Sequence, residues 1–368
     1  MSYLNSIVTQ PTVVYLHPFG ATGIDNIESL SNCGDGPVII AFDQEPIIHY
    51  YNHELFTVMK KNFRSYRGGP RPVILLNTEK YSAEKTKVLN EFNFVDANYF
   101  FHGLAATDWY RGYQYCTSLV PPSKRTINKK YITFNRITGN SRAYRSFLIG
   151  ELAERNLLDH GHVSYSEVCP VHGHYEKNIL ETVNKYKVPA DYVLKIKDLL
   201  GNINFPLRID STGPIPNGSQ TIGPVSAIVE SFLHVVTETC FWDERTHLTE
   251  KIFKPIVARQ PFVLLGCANN LKYLRSYGFK TFDAWWDEGY DQIQDPIKRL
   301  QAVVNIIDDI CKMSNEDLEA MLRGMNCVLE HNYELFYSRE FVNTVWNEMT
   351  SSLDSAIAQL SLQTLKEN

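Results

Sequence analysis

Short, continuous apolar runs punctuate the chain, and each stops abruptly at polar or turn-forming residues. Val13–Leu16, Val38–Phe42, Val73–Leu76, Tyr131–Phe134, Phe232–Val236 and the run PFVLLG beginning at Pro261 are the clearest. Runs that are apolar throughout, rather than alternating, predict strands buried on both faces, as in a parallel sheet between helices. A further strand is predicted over Asn98–His102. Between the runs, apolar residues recur at helical spacing, predicting helices over His49–Met59, Ser82–Asn93, Tyr144–Arg155, Lys185–Leu200, Asn269–Tyr277, Ile297–Cys311, Asn315–Tyr333 and Phe341–Leu362. The alternation predicts an α/β protein of two Rossmann-like domains with helices gathered at the C-terminus. The basic, proline-bearing stretch VPPSKRTINKK, Val120–Lys130, interrupts that rhythm and places the domain boundary. The expected division is residues 1–125, residues 126–345, and a terminal helix over 346–368 that packs back on the first domain.

In open α/β sheets ligands gather outside the carboxyl ends of the strands, so the residues following each run are the candidates for chemistry. The first run leads into HPFG with His17, and the second into DQEP with Asp43, Gln44 and Glu45. Two acids two residues apart after a strand suit a divalent metal, a general base, or simple capping. His102, Asp108 and Trp109 in HGLAATDWYRG have the aromatic faces and hydroxyl-binding groups of an acceptor pocket.

The richest stretch runs from Phe232 to Gly266 and reads strand, loop, helix, strand. Glu238 follows the strand, Thr249 is placed to cap a helix, and Glu250 and Lys251 occupy its first turn. Exposed N–H groups and the Lys251 charge suit a diphosphate, and Glu250 suits a sugar hydroxyl or ribose. The loop NRITGNSR adds Asn135, Arg136 and Arg142, with Arg145 just beyond, a set able to chelate phosphate oxygens.

Composition narrows the picture. A chain of 368 residues that is 44% hydrophobic has material for a large core. A formal charge of −5 argues against a nucleic-acid coat, and the lack of a long apolar run or a signal-like start predicts a protein working in a cytoplasm. Seven cysteines without paired spacing fit reduced thiols. His160, His162, Cys169, His172 and His174 crowd one stretch, where Cys169, His172 and His174 form a possible zinc set, although the spacing matches no common finger and a plain polar loop is the competing reading. Neither G-x-x-x-x-G-K-[ST] nor G-x-G-x-x-G occurs, which disfavours a phosphotransferase or dehydrogenase.

The order Glu238-Thr239, then Thr249-Glu250-Lys251 at a helix start, then Pro261 to Gly266 resembles the donor-binding signature of the α-1,3-fucosyltransferases, departing from it at Thr239, where that family has Asn. Arg145 before an apolar helix, and Glu45 beside Pro46, resemble further elements of that family. Over its whole length the chain is similar to glycosyltransferase-like proteins of tailed bacteriophages sharing the strings D-Q-E-P, T-F-N-R and L-T-E-K-I-F-K-P. These resemblances imply a GT-B arrangement, with two Rossmann-like domains facing across a cleft and the nucleotide-sugar held by the C-terminal half. They imply an inverting transfer to a hydroxyl of a glycan or a hydroxylated DNA base, with Glu45 as general base, Arg145 and Lys251 on the departing diphosphate, and no metal or other cofactor. A DNA acceptor calls for a basic track, for which Lys60, Lys61, Arg64, Arg67 and Arg71 are available. Two alternatives stand beside this reading: a metal-dependent GT-A-like enzyme using Asp43 and Glu45, and a non-catalytic nucleotide- or sugar-binding module.

Overall fold

Among the described residues, two parallel sheets of four strands each carry the protein. The structure is a computed structural model that describes residues 12–15, 38–47, 73–209 and 220–367. Its strands are β1 (Thr12–Tyr15), β2 (Val38–Phe42), β3 (Val73–Asn77), β4 (Tyr81–Ser82), β5 (Phe94–Asn98), β6 (Lys129–Asn135), β7 (Gly161–Tyr165), β8 (Val168–Cys169), β9 (Gly173–His174), β10 (Ser231–Thr237), β11 (Arg245–Thr246) and β12 (Phe262–Leu265). The chain divides into two compact units: Met1–Leu104 with Arg245–His247 and Val342–Asn368, and Ala105–Glu244 with Leu248–Phe341.

In the first unit the strand order is β1-β2-β3-β5. All of β2 and β3 is buried, as their unbroken apolar runs require, and Val38, Ile40, Val73 and Leu75 pack with Val88 and Phe92 of the helix Ala83–Phe92. Ser82 caps that helix by accepting the Lys85 N–H, and Asn93 closes it in the left-handed region. The strand expected at Asn98–His102 lies earlier, at Phe94–Asn98, and a helix, Phe101–Trp109, follows. Asp96 in the middle of FVDAN masked that strand, and its charge is answered by Lys85 Nζ at 2.7 Å.

The second unit has the order β12-β10-β6-β7. β10 is buried along its whole length and lies between β6 and β12, with Val235 opposite both Thr133 and Val263. β7 falls inside the histidine-bearing stretch read as a loop or metal set. It is a half-buried strand whose polar His162 and Ser164 conceal it in the sequence. The single helix expected over Lys185–Leu200 is two, Tyr175–Tyr186 and Ala190–Gly201, separated around Pro189, which lacks the N–H a helix interior needs. The Asn315–Tyr333 helix is likewise broken, into Asn315–Gly324 and Asn326–Phe336.

The units divide at Leu104/Ala105 and not at the proline-bearing stretch. Arg125 explains why that stretch is no linker. Its guanidinium is buried and donates to the carbonyls of Val120, Ala258 and Arg259, fastening the segment into the second unit. The helix Arg339–Glu367 begins in the second unit and continues into the first, where Glu348 accepts the Phe100 N–H and the Ser352 hydroxyl accepts the Asn98 N–H. Among the described residues, no helix is long and apolar enough to cross a membrane.

Candidate functional site

The strand order of the second unit reverses between β6 and β10: from β6 the chain moves to β7 on one side, and later to β10 and β12 on the other. Loops leaving the two strands at such a point turn apart and open a crevice at the carboxyl edge. The loops concerned are Arg136–Ala143 after β6 and Glu238–Thr249 after β10, interrupted by Arg245–His247, which belongs to the first unit.

Glu238, the first residue after β10, is buried and organises the loop. Its Oε1 accepts the Thr249 N–H at 3.2 Å, and Oε2 accepts the Thr249 hydroxyl at 2.5 Å and the Thr239 N–H at 3.2 Å. Burial raises its pKa, and the nearby Lys251 charge opposes that shift. The carboxylate is engaged by the protein itself, so its place is to position Thr249 and Thr239, not to bind a sugar directly.

Thr249 caps the next segment as expected, its hydroxyl accepting the Lys251 N–H. The segment is shorter than the sequence suggests: one 3-10 turn, Glu250–Ile252, then the helix Phe253–Val257. With so few aligned peptides the helix dipole is a minor term, and side-chain charge has to carry anion binding. Lys251 supplies it. Its Nζ lies 3.0 Å from Glu250 Oε1, 3.1 Å from Thr249 Oγ1 and 3.4 Å from Thr239 Oγ1, and the side chain is 25% exposed.

From the other loop, Arg142 Nη2 also lies 3.4 Å from Thr239 Oγ1. Two cations carried by different loops thus converge on one hydroxyl, at the departure from the fucosyltransferase pattern. Arg142 is half-buried at the end of the 3-10 turn Asn140–Arg142. That turn is positioned by Lys185, which donates to Asn140 Oδ1, and by His172, packed against Gly139 so closely that a Cβ there would lie 2.3 Å from the histidine Cβ. Burial and the Arg142 charge both lower the His172 pKa.

Arg145 plays a different part from the one expected. It is buried, its Nη1 donates to the Ile137 carbonyl at 2.9 Å, and its Nη2 donates to Thr237 at 2.7 Å and Glu238 at 3.3 Å. It is a strut between the two loops, and Arg142 is the arginine that meets Lys251 at Thr239. Tyr144 braces the same place, donating to the Glu238 carbonyl at 2.7 Å while stacking on Phe241 at 4.1 Å. Asn135, at the end of β6, is buried, with Nδ2 3.3 Å from Thr133 Oγ1 and, among the described residues, no partner for Oδ1. Arg136 is exposed. No family model matches the chain, and no curated protein matches it significantly.

Sequence reasoning did not single out Lys254. Its residue is only 8% exposed, and Nζ lies 5.9 Å from the centre of the Phe134 ring. The available signal was its place inside an apolar run, IFKPIV.

The carboxyl edge of the first sheet is built differently. Asp43 is buried, and Tyr99 donates to its Oδ2 at 2.5 Å, while Glu45 is half-buried two residues further on. Burial raises the Asp43 pKa, which the Tyr99 hydrogen bond partly offsets. Glu79, after β3, is fully buried, accepting the Ile47 N–H, the Ser82 hydroxyl and the Arg245 guanidinium. Arg245 and Thr246 form β11, which pairs antiparallel with β4, so part of what reads as a polar loop is a buried strand. His102 is buried against Phe101 and His247, with ring centres 5.3 and 5.8 Å apart. Trp109 is half-buried at the end of its helix, in the second unit. His17, Lys60, Lys61, Arg64, Arg67 and Arg71 lie outside the described residues.

The histidine-rich stretch is dispersed. His162 pairs with Glu230 at 2.6 Å, His174 caps the helix Tyr175–Tyr186, and Cys169 accepts the Thr138 N–H. Among the described residues, no three His, Cys, Asp or Glu side chains are grouped to hold a metal ion.

Proposed function

We propose that the protein is a glycosyltransferase that holds a nucleotide-sugar at the carboxyl edge of the second sheet and transfers the sugar, with inversion, to a hydroxyl. The observation carrying this reading is the convergence of Arg142 and Lys251 on Thr239 Oγ1 where the strand order reverses. A departing diphosphate needs positive charge fixed before the reaction, and two cations held by independent loops supply it without a metal. Glu250, whose Oε1 lies 3.0 Å from Lys251 Nζ, is the group proposed to meet a ribose or sugar hydroxyl. The reading takes the second parallel-sheet unit as the donor domain and the first as the acceptor domain of a GT-B enzyme, with Glu45 as the carboxylate proposed to take the acceptor proton. The acceptor class is a glycan or a hydroxylated DNA base, and the setting is a cytoplasm, that of a host cell for a phage-encoded chain.

The metal-dependent alternative is weaker, because Asp43 is buried with one oxygen engaged by Tyr99. A panel of nucleoside diphosphates and their sugars, read by thermal shift, tests the donor site: the correct base raises Tm by mass action. Glu45→Gln is expected to keep that shift and lose transfer about a thousandfold, within the usual range for a general base. Unchanged transfer in Glu45→Gln would remove Glu45 from the mechanism, and a thermal shift with no transfer in the wild type would leave a binding module as the reading.

A further inference from the structure

The two cations of the crevice sit on separate loops, and one segment touches both. It consists of the β8–β9 hairpin followed by the helix Tyr175–Tyr186, and it holds three consecutive residues of the loop after β6. The Thr138 N–H donates to Cys169 Sγ at 3.4 Å, Gly139 lies against His172, and Lys185 Nζ donates to Asn140 Oδ1. Asn140 stands in the left-handed region, with φ of 56°, and opens the turn that ends at Arg142. Such a backbone persists only where its surroundings hold it.

The next residue of the helix reaches the other loop. Tyr186 stacks on Trp242, with ring centres 4.7 Å apart and planes 8° from parallel. Trp242 lies three residues beyond Thr239, whose hydroxyl Arg142 and Lys251 share. Its indole meets Phe147 edge-on at 5.8 Å and Tyr144 at 6.4 Å, so the stack is anchored on the helix that carries Arg145. Lys185 Nζ lies 5.3 Å from the centre of the Tyr186 ring, which joins the two attachments to one another.

We infer that the last turn of the helix Tyr175–Tyr186 fixes the separation of Arg142 from Lys251, with Lys185 and Tyr186 as positioning residues for the donor diphosphate. The inference rests on the proposed nucleotide-sugar reading of the crevice and adds the device that keeps its two sides in register. A pair of cations stabilises a diphosphate best when neither has to be reoriented as it binds. On untethered loops the ligand itself would have to order both long side chains, and binding would weaken accordingly. One helical turn fastened to both loops removes that ordering step, through a hydrogen bond at Asn140 and a ring face at Trp242. Lys185 and Tyr186 thus act through Arg142 and Lys251 and not by contact with phosphate.

The test is calorimetric titration of the full chain with UDP, GDP, CDP, dTDP and ADP, followed by a double-mutant cycle on the probe that binds. Tyr186→Leu removes the stack, and Asn140→Gly keeps the left-handed backbone and the Lys185 charge but breaks the tie between them. Each is expected to weaken binding about tenfold. In an Arg142→Ala background either change is expected to weaken it further by less than about twofold, because no second cation remains to be spaced. Tyr186→Phe, which keeps the ring face, is expected to bind as the wild type does. All variants are first checked for an unchanged Tm; Asn140→Gly decides if Tyr186→Leu does not fold. Wild-type affinity in either folded variant, or a loss as large in the Arg142→Ala background as in the wild type, overturns the positioning role alone. Binding of no probe by the wild type overturns the nucleotide-sugar reading and this inference with it.

Discussion

The two sheets have the same number of parallel strands and opposite carboxyl edges. In the first, the order β1-β2-β3-β5 runs without reversal, and the edge after β3 is closed by Glu79, held by Arg245, Ser82 and the Ile47 N–H. In the second, the order reverses between β6 and β10, and the edge carries Arg142 and Lys251 converging on one hydroxyl. Opposite charges meet at the first edge; at the second, Lys251 pairs with Glu250 at 3.0 Å and also shares the Thr239 hydroxyl with Arg142. Buried charge answered by buried charge is architecture, whereas cations gathered around a single hydroxyl point to a ligand.

The comparison breaks first at Arg245. Arg245→Ala leaves the Glu79 carboxylate buried without its cation, and a loss of about 3–5 kcal/mol is expected, measured by urea denaturation. Hydrogen exchange should place the loss at β4 and the helix Ala83–Phe92, since Arg245 also pairs with Glu84 at 2.8 Å. Donor binding by the second unit tests nothing in that network, so a mild stability loss here would erase the contrast between the edges. Arg145→Ala sharpens the comparison from the other side. Removing a guanidinium that holds three carbonyls is expected to lower stability by about 2–3 kcal/mol, because the Ile137 and Thr237 carbonyls lose a buried charged donor while that of Glu238 keeps the Tyr144 hydroxyl. A variant that binds donor poorly while keeping full stability would return Arg145 to the role of ligand.

Much of the second unit was readable in advance because its signals are local. A largely apolar run such as FLHVV, broken only by His234, is what a strand covered on both faces needs, and Thr249 caps its segment through an atom two residues away. The helix break at Pro189 is local as well, yet the single helix expected over Lys185–Leu200 runs straight through it. What could not be read is non-local. Arg245 finds Glu79 at a separation of 166 residues, so its segment has no feature that distinguishes it from a solvated loop. Arg142 and Arg145 lie three residues apart in one basic cluster, and only the helix starting at Tyr144 turns Arg145 inward and leaves Arg142 at the crevice. β7 was hidden by its polar face, since a half-covered strand of five residues offers too short an alternation to separate it from a loop.

The most direct measurement is calorimetric titration of the nucleoside diphosphate that most raises Tm, into the wild type, Arg142→Ala, Lys251→Ala and the double variant. Each single change is expected to weaken binding by about 10–100-fold, the worth of one or two charge-assisted hydrogen bonds, with Tm of the free protein nearly unchanged. The double variant is expected to show no measurable heat of binding. Equal affinity in the wild type and the double variant would contradict the account, because the anion would then be held somewhere other than the crevice between β6 and β10.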